Sequence, residues 1–301
     1  MNQGEAEQWL REKIQGVYSR DEAGNIAALV MEAMTGLNRE TSRLKKEERL
    51  PPGLSTQLTE IANRLLSHEP VQYILEHAWF AGLKLYVNPT VLIPRPETEE
   101  LVHWIVQDTE AQALPVLQHS AGGADRTNPL KVLDVGTGSG CIALALKRAM
   151  PGVEVWGCDK SEAALNIARR NGSETDLRVD FQGIDFLDST QHSLLPAVDI
   201  IVCNPPYIPL RDKHSMAANV VDFEPHQALF VTDEDPLIFY RALAKFGQHK
   251  LHPGGYIYAE IEENSGTDTV RLFEEEGYKN VVLKQDMQGK ERMIRAGLLI
   301  R

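Results

Sequence analysis

From Leu130 onward, short β-rich runs alternate with segments of helical periodicity, and few folds accommodate such an order. Strands separated by helices are typical of a parallel sheet that carries helices on both faces. The last two β-rich runs are separated only by a short polar segment containing Gly289, so we expect them to pair antiparallel. The sequence therefore predicts an open α/β sheet that ends in a hairpin. The predicted strands are 131–135, 153–158, 177–181, 198–203, 255–261, 280–284 and 292–299.

The N-terminal region, residues 1–72, is predicted to be a small helical domain. Its apolar residues recur at helical spacing, as between Ile26 and Met34, and Gly36 follows where a helix C-cap is expected. A Pro-Pro-Gly sequence interrupts this pattern, and Ser55 beyond it is a suitable N-cap for the next helix. These features predict a helical unit that is separate from the α/β sheet.

Residues 73–95 are predicted to link this helical domain to a larger domain, 96–301. Aromatic and β-branched residues surround Ala81-Gly82 in the linker, which favours a β-hairpin. Pro96 is followed by several glutamates, which suit the first turn of a helix because acids interact favourably with the positive end of the helix dipole. Residues 118–129 have two adjacent glycines and few apolar side chains, so we expect an exposed loop there.

The composition restricts the possible partners. The chain has 43 acidic and 31 basic residues and a net charge of -12, which disfavours binding to nucleic acid because phosphate contacts need clustered Lys and Arg. It contains no signal-peptide pattern and no uninterrupted apolar segment of about 18 residues, so we expect a cytoplasmic monomer without membrane contact. Cys141, Cys158 and Cys203 form no Cys-x-x-Cys pair, and we expect reduced, buried thiols and no metal site.

A glycine-rich turn follows the first strand of the larger domain. Gly136, Gly138 and Gly140 alternate with Thr137 and Ser139 between that strand and a predicted helix. Glycines tolerate positive φ and let a ligand lie directly against the backbone. A turn of this kind between a strand and a helix predicts a site for a nucleotide-like cofactor, although dinucleotides and other adenosine compounds use similar loops.

Two acidic positions further along the chain indicate which cofactor the loop binds. Asp159 ends the second strand, where a carboxylate can accept hydrogen bonds from both hydroxyls of an adenosine ribose; this matches either cofactor. Asp185 and Phe186 follow the third strand, where an acid and an aromatic ring can hold the edge and the face of an adenine. No arginine follows Asp159 immediately to receive a phosphate, and the glycine spacing differs from the dinucleotide fingerprint. The pattern therefore favours S-adenosylmethionine over a nicotinamide.

The fourth strand runs directly into the tetrapeptide Asn204-Pro205-Pro206-Tyr207. The carboxyl ends of the strands are where an open α/β sheet binds ligands, so the tetrapeptide is expected to face the cofactor. The Asn204 side-chain oxygen and the Pro205 carbonyl can accept both N–H groups of a planar -NH₂, which directs its nitrogen at a methyl donor. The two prolines stiffen the loop, and Tyr207 is expected to pack against the planar acceptor. The tetrapeptide therefore predicts transfer of a methyl group to an amide-like nitrogen.

The chain resembles the HemK/PrmC family of protein-(glutamine-N5) methyltransferases, which modify the Gly-Gly-Gln loop of peptide chain release factors. The resemblance covers nearly the whole chain. It implies a class I S-adenosylmethionine-dependent methyltransferase fold, Rossmann-like, preceded by a helical domain that docks the substrate. The matching segments are 91–99, the glycine loop 136–140, Asp159, Phe186, the tetrapeptide 204–207, Phe223-Glu224-Pro225 with Ala228-Leu229, and 289–292.

Three charged residues in the matching segments, Arg95, Glu97 and Glu224, are candidate site residues with open roles. Arg95 is expected either to pair with Glu97 or another acid and fix the linker, or to contact cofactor or substrate directly. Glu224 is expected either to cap the loop that it begins, near the substrate, or to belong to the site itself. The turn after the fifth strand, which begins at Glu260, departs from the family's usual Glu-Ile-Gly, so no role is assigned to it.

Two other acceptors remain open from the sequence alone. Enzymes that methylate adenine N6 in nucleic acids use the same tetrapeptide, but the acidic composition disfavours such a substrate. Glutamine methylation of a ribosomal protein is a closer alternative, because the site chemistry would be identical. A cofactor-binding scaffold without activity is disfavoured by the intact glycine loop and by Asn204. A peptide chain release factor is therefore the expected partner.

Overall fold

The computed structural model describes residues 1–111 and 129–298, and the chain divides into two compact units. Unit 1 consists of Met1–His77 together with Met216–Phe223. Unit 2 consists of the described residues of Ala78–Ser215 and those from Glu224 onward. The exposed loop predicted at 118–129 lies, except for Pro129, outside the described residues.

Unit 1 is helical, as the apolar spacing predicts. Gly36 ends the second helix in the left-handed conformation (φ 70°), as expected of its C-cap. Ser55 is not an N-cap, and that prediction was wrong: Gly53 (φ 92°) is the N-cap, so the helix begins two residues earlier than predicted, at Leu54. The helices are α1 Gln3–Ile14, α2 Arg20–Thr35, α3 Arg39–Leu44, α4 Leu54–Leu66, α5 Val71–Ile74 and, from the second segment, α9 Ala218–Phe223.

Unit 2 is built on a seven-stranded sheet. Its strands are β3 Lys131–Val135, β4 Glu154–Asp159, β5 Asp180–Gly183, β6 Val198–Cys203, β9 Leu251–Glu260, β10 Lys279–Gln285 and β11 Glu291–Gly297. They lie in the order β10-β11-β9-β6-β3-β4-β5. The five strands from β9 to β5 are parallel, and β11 and β10 are added antiparallel at one edge. This confirms the predicted class I methyltransferase fold with a terminal hairpin.

Helices cover both faces of this sheet. Two smaller two-stranded sheets accompany it, one of them in the segment predicted as a hairpin. The helices are α6 Pro96–Glu110, α7 Cys141–Ala149, α8 Glu162–Thr175, α10 Ile238–Lys250 and α11 Gly266–Glu275. The small sheets pair β1 His77–Phe80 with β2 Leu83–Tyr86 and β7 Ile208–Pro209 with β8 Phe230–Val231.

The third parallel strand begins later than predicted. Asp176 (φ 55°) ends α8 in the left-handed conformation, and the Leu177 amide donates back to the Gly172 carbonyl at 3.0 Å. Residues 177–179 therefore belong to the helix end and its exit, so β5 starts only at Asp180. The strand prediction 177–181 was shifted because β-branched and apolar residues also pack beneath a helix C-terminus.

The sheet brings the carboxyl ends of β3, β4, β5 and β6 to one edge. Their side chains fill two buried clusters, one on each face, because successive residues such as Val132 and Leu133 point to opposite sides. Among the described residues, no helix is long and apolar enough to cross a membrane. That part of the chain also holds no group of three or more His, Cys, Asp or Glu arranged to bind a metal ion.

Candidate functional site

A pocket opens at the carboxyl ends of the parallel strands, and eight residues predicted from the sequence line it. Its apolar walls come from side chains such as Val135, Ile184 and Phe239, and Asp159 and Asp185 place carboxylates at its margin. The site residues that line it are Gly136, Gly138, Asp159, Asp185, Phe186, Asn204, Pro205 and Pro206. The fold therefore gathers the glycine loop and the tetrapeptide around a single cavity.

Only part of the glycine loop lines this pocket. Gly136 and Gly138 have positive φ, and a Cβ at Gly136 would meet no atom within 4 Å, so its backbone faces open space. Gly140 serves packing instead, since a Cβ there would lie 3.1 Å from Phe181 and 3.2 Å from Ala168. The Thr137 and Ser139 side chains are buried and absent from the pocket lining, and the Asn171 amide holds the Ser139 carbonyl at 2.9 Å.

Asp134 supports the loop from beneath. Its carboxylate is fully buried on β3, and Oδ2 accepts hydrogen bonds from Thr137 Oγ1 at 2.7 Å and from the Ala143 amide at 3.2 Å. Among the described residues, no donor reaches Oδ1. Burial raises the pKa of Asp134 to about 7, and the two donors only partly offset this.

We expect this carboxyl to make folding stability depend on pH. Its pKa in the folded protein lies above the ordinary value of 3.8, so between about pH 4 and 7 the folded state binds more protons than the unfolded state. Stability contributed by Asp134 is therefore complete at low pH and lost as the pH rises through 7. Asp134→Asn keeps an acceptor for both donors and cannot ionise, so its free energy of unfolding should fall less across this range. Urea titrations of both proteins at pH 5 and pH 8 measure the difference; equal slopes would contradict the shift.

Asp159 is held rigidly where β4 ends. Its Oδ2 accepts from the Gly138 amide at 3.0 Å and its Oδ1 from the Ser161 amide at 2.9 Å. Burial raises the pKa of Asp159, while these backbone donors oppose the increase. Each oxygen keeps a further lone pair, so the side chain can still accept hydrogen bonds from ligand hydroxyl groups in the pocket.

Phe186 and Asp185 form the wall after β5. The Phe186 ring is buried and packs edge-on against Phe246, with ring centroids 5.1 Å apart; the His192 ring lies tilted against it at an interplanar angle of 36°, with centroids 4.9 Å apart. Asp185 is exposed, and its carboxylate accepts a hydrogen bond from the Leu187 amide at 3.1 Å. The arrangement presents a fixed aromatic surface with an accessible acceptor beside it, which suits a planar heterocycle carrying an amino group.

Asn204 stands directly after β6 and lines the pocket with Pro205 and Pro206. Its Nδ2 donates to Thr98 Oγ1 at 3.1 Å. Thr98, in the first turn of α6, in turn donates to Glu260 Oε2 at 2.6 Å. Tyr207 is not in the pocket lining; it packs at the margin of a buried cluster, and its hydroxyl donates to Glu260 Oε1 at 3.0 Å.

Thr98 and Glu260 therefore support the site from behind, although the sequence alone assigns neither of them a role. Both are only 2% exposed. Burial raises the pKa of Glu260, and the Thr98 and Tyr207 hydroxyls and the charge of Arg292 oppose the increase. Thr98 lies inside the matching segment 91–99, and that position was the available signal. Burial, with the negative charge of Glu260, also raises the pKa of the Tyr207 hydroxyl, so Tyr207 stays protonated.

Arg95 pairs with Glu224 and not with Glu97. Arg95 Nη2 lies 2.5 Å from Glu224 Oε1, and the Ile93 amide donates to Glu224 Oε2 at 3.1 Å. The Glu224 side chain is 1% exposed, whereas Glu97 is half-buried in the first turn of α6. None of the three charged residues lines the pocket, but their neighbours Val91, Leu92, Pro225, Gln227 and Ala228 do. The ion pair thus joins two chain segments that form the pocket wall.

Comparison with known families gives two matches. Residues 5–75 match the PrmC N-terminal domain, and residues 121–230 match the methyltransferase small domain. The release factor glutamine methyltransferase of Bacteroides thetaiotaomicron is 39% identical over 290 residues, covering 96% of this chain and 97% of the relative. That of Flavobacterium psychrophilum is 37% identical over 279 residues, covering 93% of each chain.

A solved structure shares the fold at low identity. The hMettl16 catalytic domain in complex with the MAT2A 3'UTR hairpin 6 superposes with a TM-score of 0.52 and 15% identity, covering 82% of this chain and 81% of that chain. This likeness supports the methyltransferase fold alone. The full-length similarity to the two bacterial relatives confirms the family resemblance drawn from the motifs. The chain belongs to the release factor glutamine methyltransferase family.

Proposed function

We infer that the protein transfers a methyl group from S-adenosylmethionine to the side-chain nitrogen N5 of a glutamine in peptide chain release factors. Membership in the family supports the reaction, since the relatives are named for it. The structural observation that carries the proposal is that Asn204 and Pro205 line the same cavity as Gly136, Gly138 and Asp159. Methyl donor and acceptor groups can therefore meet in one cavity.

The residues around the pocket fit S-adenosylmethionine. The Gly136 backbone faces open space, Asp159 keeps lone pairs for ribose hydroxyls, and Phe186 offers a fixed apolar surface for the adenine. Asp185 also lines the pocket, and we expect its carboxylate to accept a hydrogen bond from the adenine amino group. When bound, S-adenosylmethionine supplies an electrophilic methyl group on its sulfonium.

The tetrapeptide suits a carboxamide nitrogen as the acceptor. The lone pair of an amide nitrogen is delocalised, so the group must be held in place and its lone pair directed at the methyl carbon. Asn204 Oδ1 and the Pro205 carbonyl accept its two N–H groups, which aligns the nitrogen and favours localisation of the lone pair. The nitrogen becomes acidic as the new C–N bond forms, so its proton can pass to solvent without a strong base.

The expected substrate is the Gly-Gly-Gln loop of a release factor. Incubating the protein with S-adenosylmethionine labelled in the methyl group and with a purified release factor, followed by peptide mass spectrometry, tests this directly. One label on the glutamine of that loop is the expected result. Label on a ribosomal protein or on adenine N6 in RNA, with none on the release factor, would overturn the proposal. Action as a cytoplasmic monomer without contact to nucleic acid remains a prediction from composition.

We propose that residues 1–72 recognise the protein substrate, that 96–301 form the catalytic domain and that 73–95 link the two. Unit 1 contains no part of the pocket lining, and it carries exposed apolar side chains, of which Leu44 is 89% exposed. An exposed apolar side chain of this kind gains free energy when a partner protein removes it from water.

If Leu44 contacts the release factor, Leu44→Asp should raise KM for the folded factor about 5-fold or more, the cost of losing one useful interface contact. KM for a short Gly-Gly-Gln peptide and the affinity for S-adenosylmethionine should stay unchanged. Leu194→Asp is the matched control, since Leu194 is 65% exposed on unit 2 and absent from the pocket lining. An equal rise in KM for protein and peptide would contradict a recognition role for this surface.

A further inference from the structure

A continuous chain of hydrogen bonds runs behind Asn204 through buried side chains. Asn204 Nδ2 donates to Thr98 Oγ1 at 3.1 Å, Thr98 Oγ1 donates to Glu260 Oε2 at 2.6 Å, and Tyr207 donates to Glu260 Oε1 at 3.0 Å. Thr98 and Glu260 are each 2% exposed, so water cannot readily replace a missing partner. The Glu260 carbonyl also accepts from the Tyr240 hydroxyl at 3.0 Å, which fixes the backbone at this point.

The carboxylate of Glu260 sets the direction of every bond in this chain. A carboxylate can only accept hydrogen bonds. Here one oxygen of Glu260 accepts from the Thr98 hydroxyl and the other accepts from the Tyr207 hydroxyl. Thr98 has one proton and has committed it to Glu260, so toward Asn204 its oxygen can only accept. The atom of Asn204 that faces Thr98 must therefore be the -NH₂ group, and the amide oxygen is left for the pocket.

We propose that Thr98 and Glu260 are positioning residues for methyl transfer: they fix the orientation of the Asn204 carboxamide so that Oδ1, and not Nδ2, meets the acceptor nitrogen. An asparagine amide rotated by 180° would present a donor to a substrate -NH₂, which is itself a donor. The chain of hydrogen bonds from Asn204 through Thr98 to Glu260, here called the relay, excludes that state. In it, Nδ2 would lose its acceptor, and the Thr98 oxygen would face the amide oxygen.

The same relay strengthens Asn204 as an acceptor. Hydrogen bonds in series polarise one another, and the effect is larger in a site of low dielectric constant. The Glu260 charge draws the Thr98 proton, which makes the Thr98 oxygen a better acceptor for Asn204 Nδ2. Electron density in the carboxamide then shifts toward Oδ1, the atom that binds the substrate N–H. This proposal rests on the proposed function, since it assumes that the substrate offers an -NH₂ group.

The test compares Thr98→Val with Thr98→Ser in the full-length protein, with a release factor as substrate. Valine keeps the shape of threonine but removes the relay, so we expect kcat to fall roughly 10- to 100-fold while KM and the affinity for S-adenosylmethionine change less than about 3-fold. Serine restores the hydroxyl and should restore most of kcat. Thr269→Val is the matched control: Thr269 is fully buried, and its hydroxyl donates to the Ser265 carbonyl at 2.8 Å, at the start of its own helix. The Thr269→Val variant should be less stable than the wild-type protein but should keep the wild-type kcat.

A double-mutant cycle with Asn204→Asp separates positioning from general stability. Aspartate has no -NH₂ to orient, so the relay has nothing to select, and Thr98→Val should cost less than about 2-fold in that background. A purely structural role of Thr98 would cost the same in both backgrounds, which would overturn the proposal. So would a wild-type kcat in Thr98→Val. If wild-type protein itself fails to methylate the release factor, the proposed function fails, and that outcome is distinct from either result.

Discussion

Replacing Asn204 by alanine should lower kcat for release-factor methylation on the order of 10²-fold or more, the usual loss when one polar group that holds a reacting atom is removed. Within the tetrapeptide, Asn204 lines the pocket with a side-chain amide oxygen. Its lining neighbours Pro205 and Pro206 have no polar side-chain atom that could replace it. The affinity for S-adenosylmethionine should change little. Single-turnover methylation and calorimetry measure the two quantities separately.

Two companion variants sharpen this result. Asn204→Asp keeps an acceptor oxygen and should retain partial activity once the aspartate is ionised. Tyr207→Phe should retain most activity, because the Tyr207 hydroxyl contacts Glu260 and not the pocket. Wild-type turnover by Asn204→Ala would end the assignment of the tetrapeptide as the acceptor clamp.

Replacing Asp159 by alanine should weaken binding of S-adenosylmethionine by about 1.5 to 3 kcal/mol, the range for hydrogen bonds to a charged group. This corresponds to a dissociation constant roughly 10- to 150-fold higher. The ligand hydroxyls lose their acceptor in the variant, while kcat at saturating cofactor should remain near wild type. Calorimetric titration with S-adenosylmethionine or its demethylated product measures the change.

Two controls belong with this measurement. Asp159 also accepts from the Gly138 amide, so part of the loss can come from a loosened glycine loop. A melting temperature recorded in parallel reports that contribution. Asp180→Ala removes an exposed carboxylate from the neighbouring strand β5 and should leave the affinity unchanged. Equal affinity for Asp159→Ala and wild type would remove Asp159 from the cofactor site.

The sequence allowed the fold and the centre of the site to be predicted because both depend on local patterns. Strand and helix periodicity led to the sheet, and the glycine loop and the tetrapeptide each lie at a strand end, where the fold alone brings them together. The sequence does not distinguish the three glycines of the loop, because alternating glycines look alike; in the structure, Phe181 and Ala168 pack closely against Gly140, and its predicted role toward the cofactor stays a prediction.

The support behind Asn204 could not be predicted in the same way. Thr98 and Glu260 are 162 residues apart, and their contact depends on how α6 packs against the end of β9. The sequence directly after Glu260 departs from the family pattern, so it contains no signal for a role of that residue. Which acid pairs with Arg95 was equally hidden, since Glu97 is near in sequence and Glu224, 129 residues away, is near in space.

The pairing of Arg95 with Glu224 has an evolutionary consequence. Removing the positive partner of a carboxylate that is 1% exposed destabilises the protein, by about 3 to 5 kcal/mol when both charges are buried and by less here, since Arg95 is 32% exposed. Neither residue can therefore be replaced alone by a neutral side chain without destabilising the pocket wall. Descendants of this gene should keep both charges or exchange both together, so that the two segments evolve as one unit although they are distant in the chain.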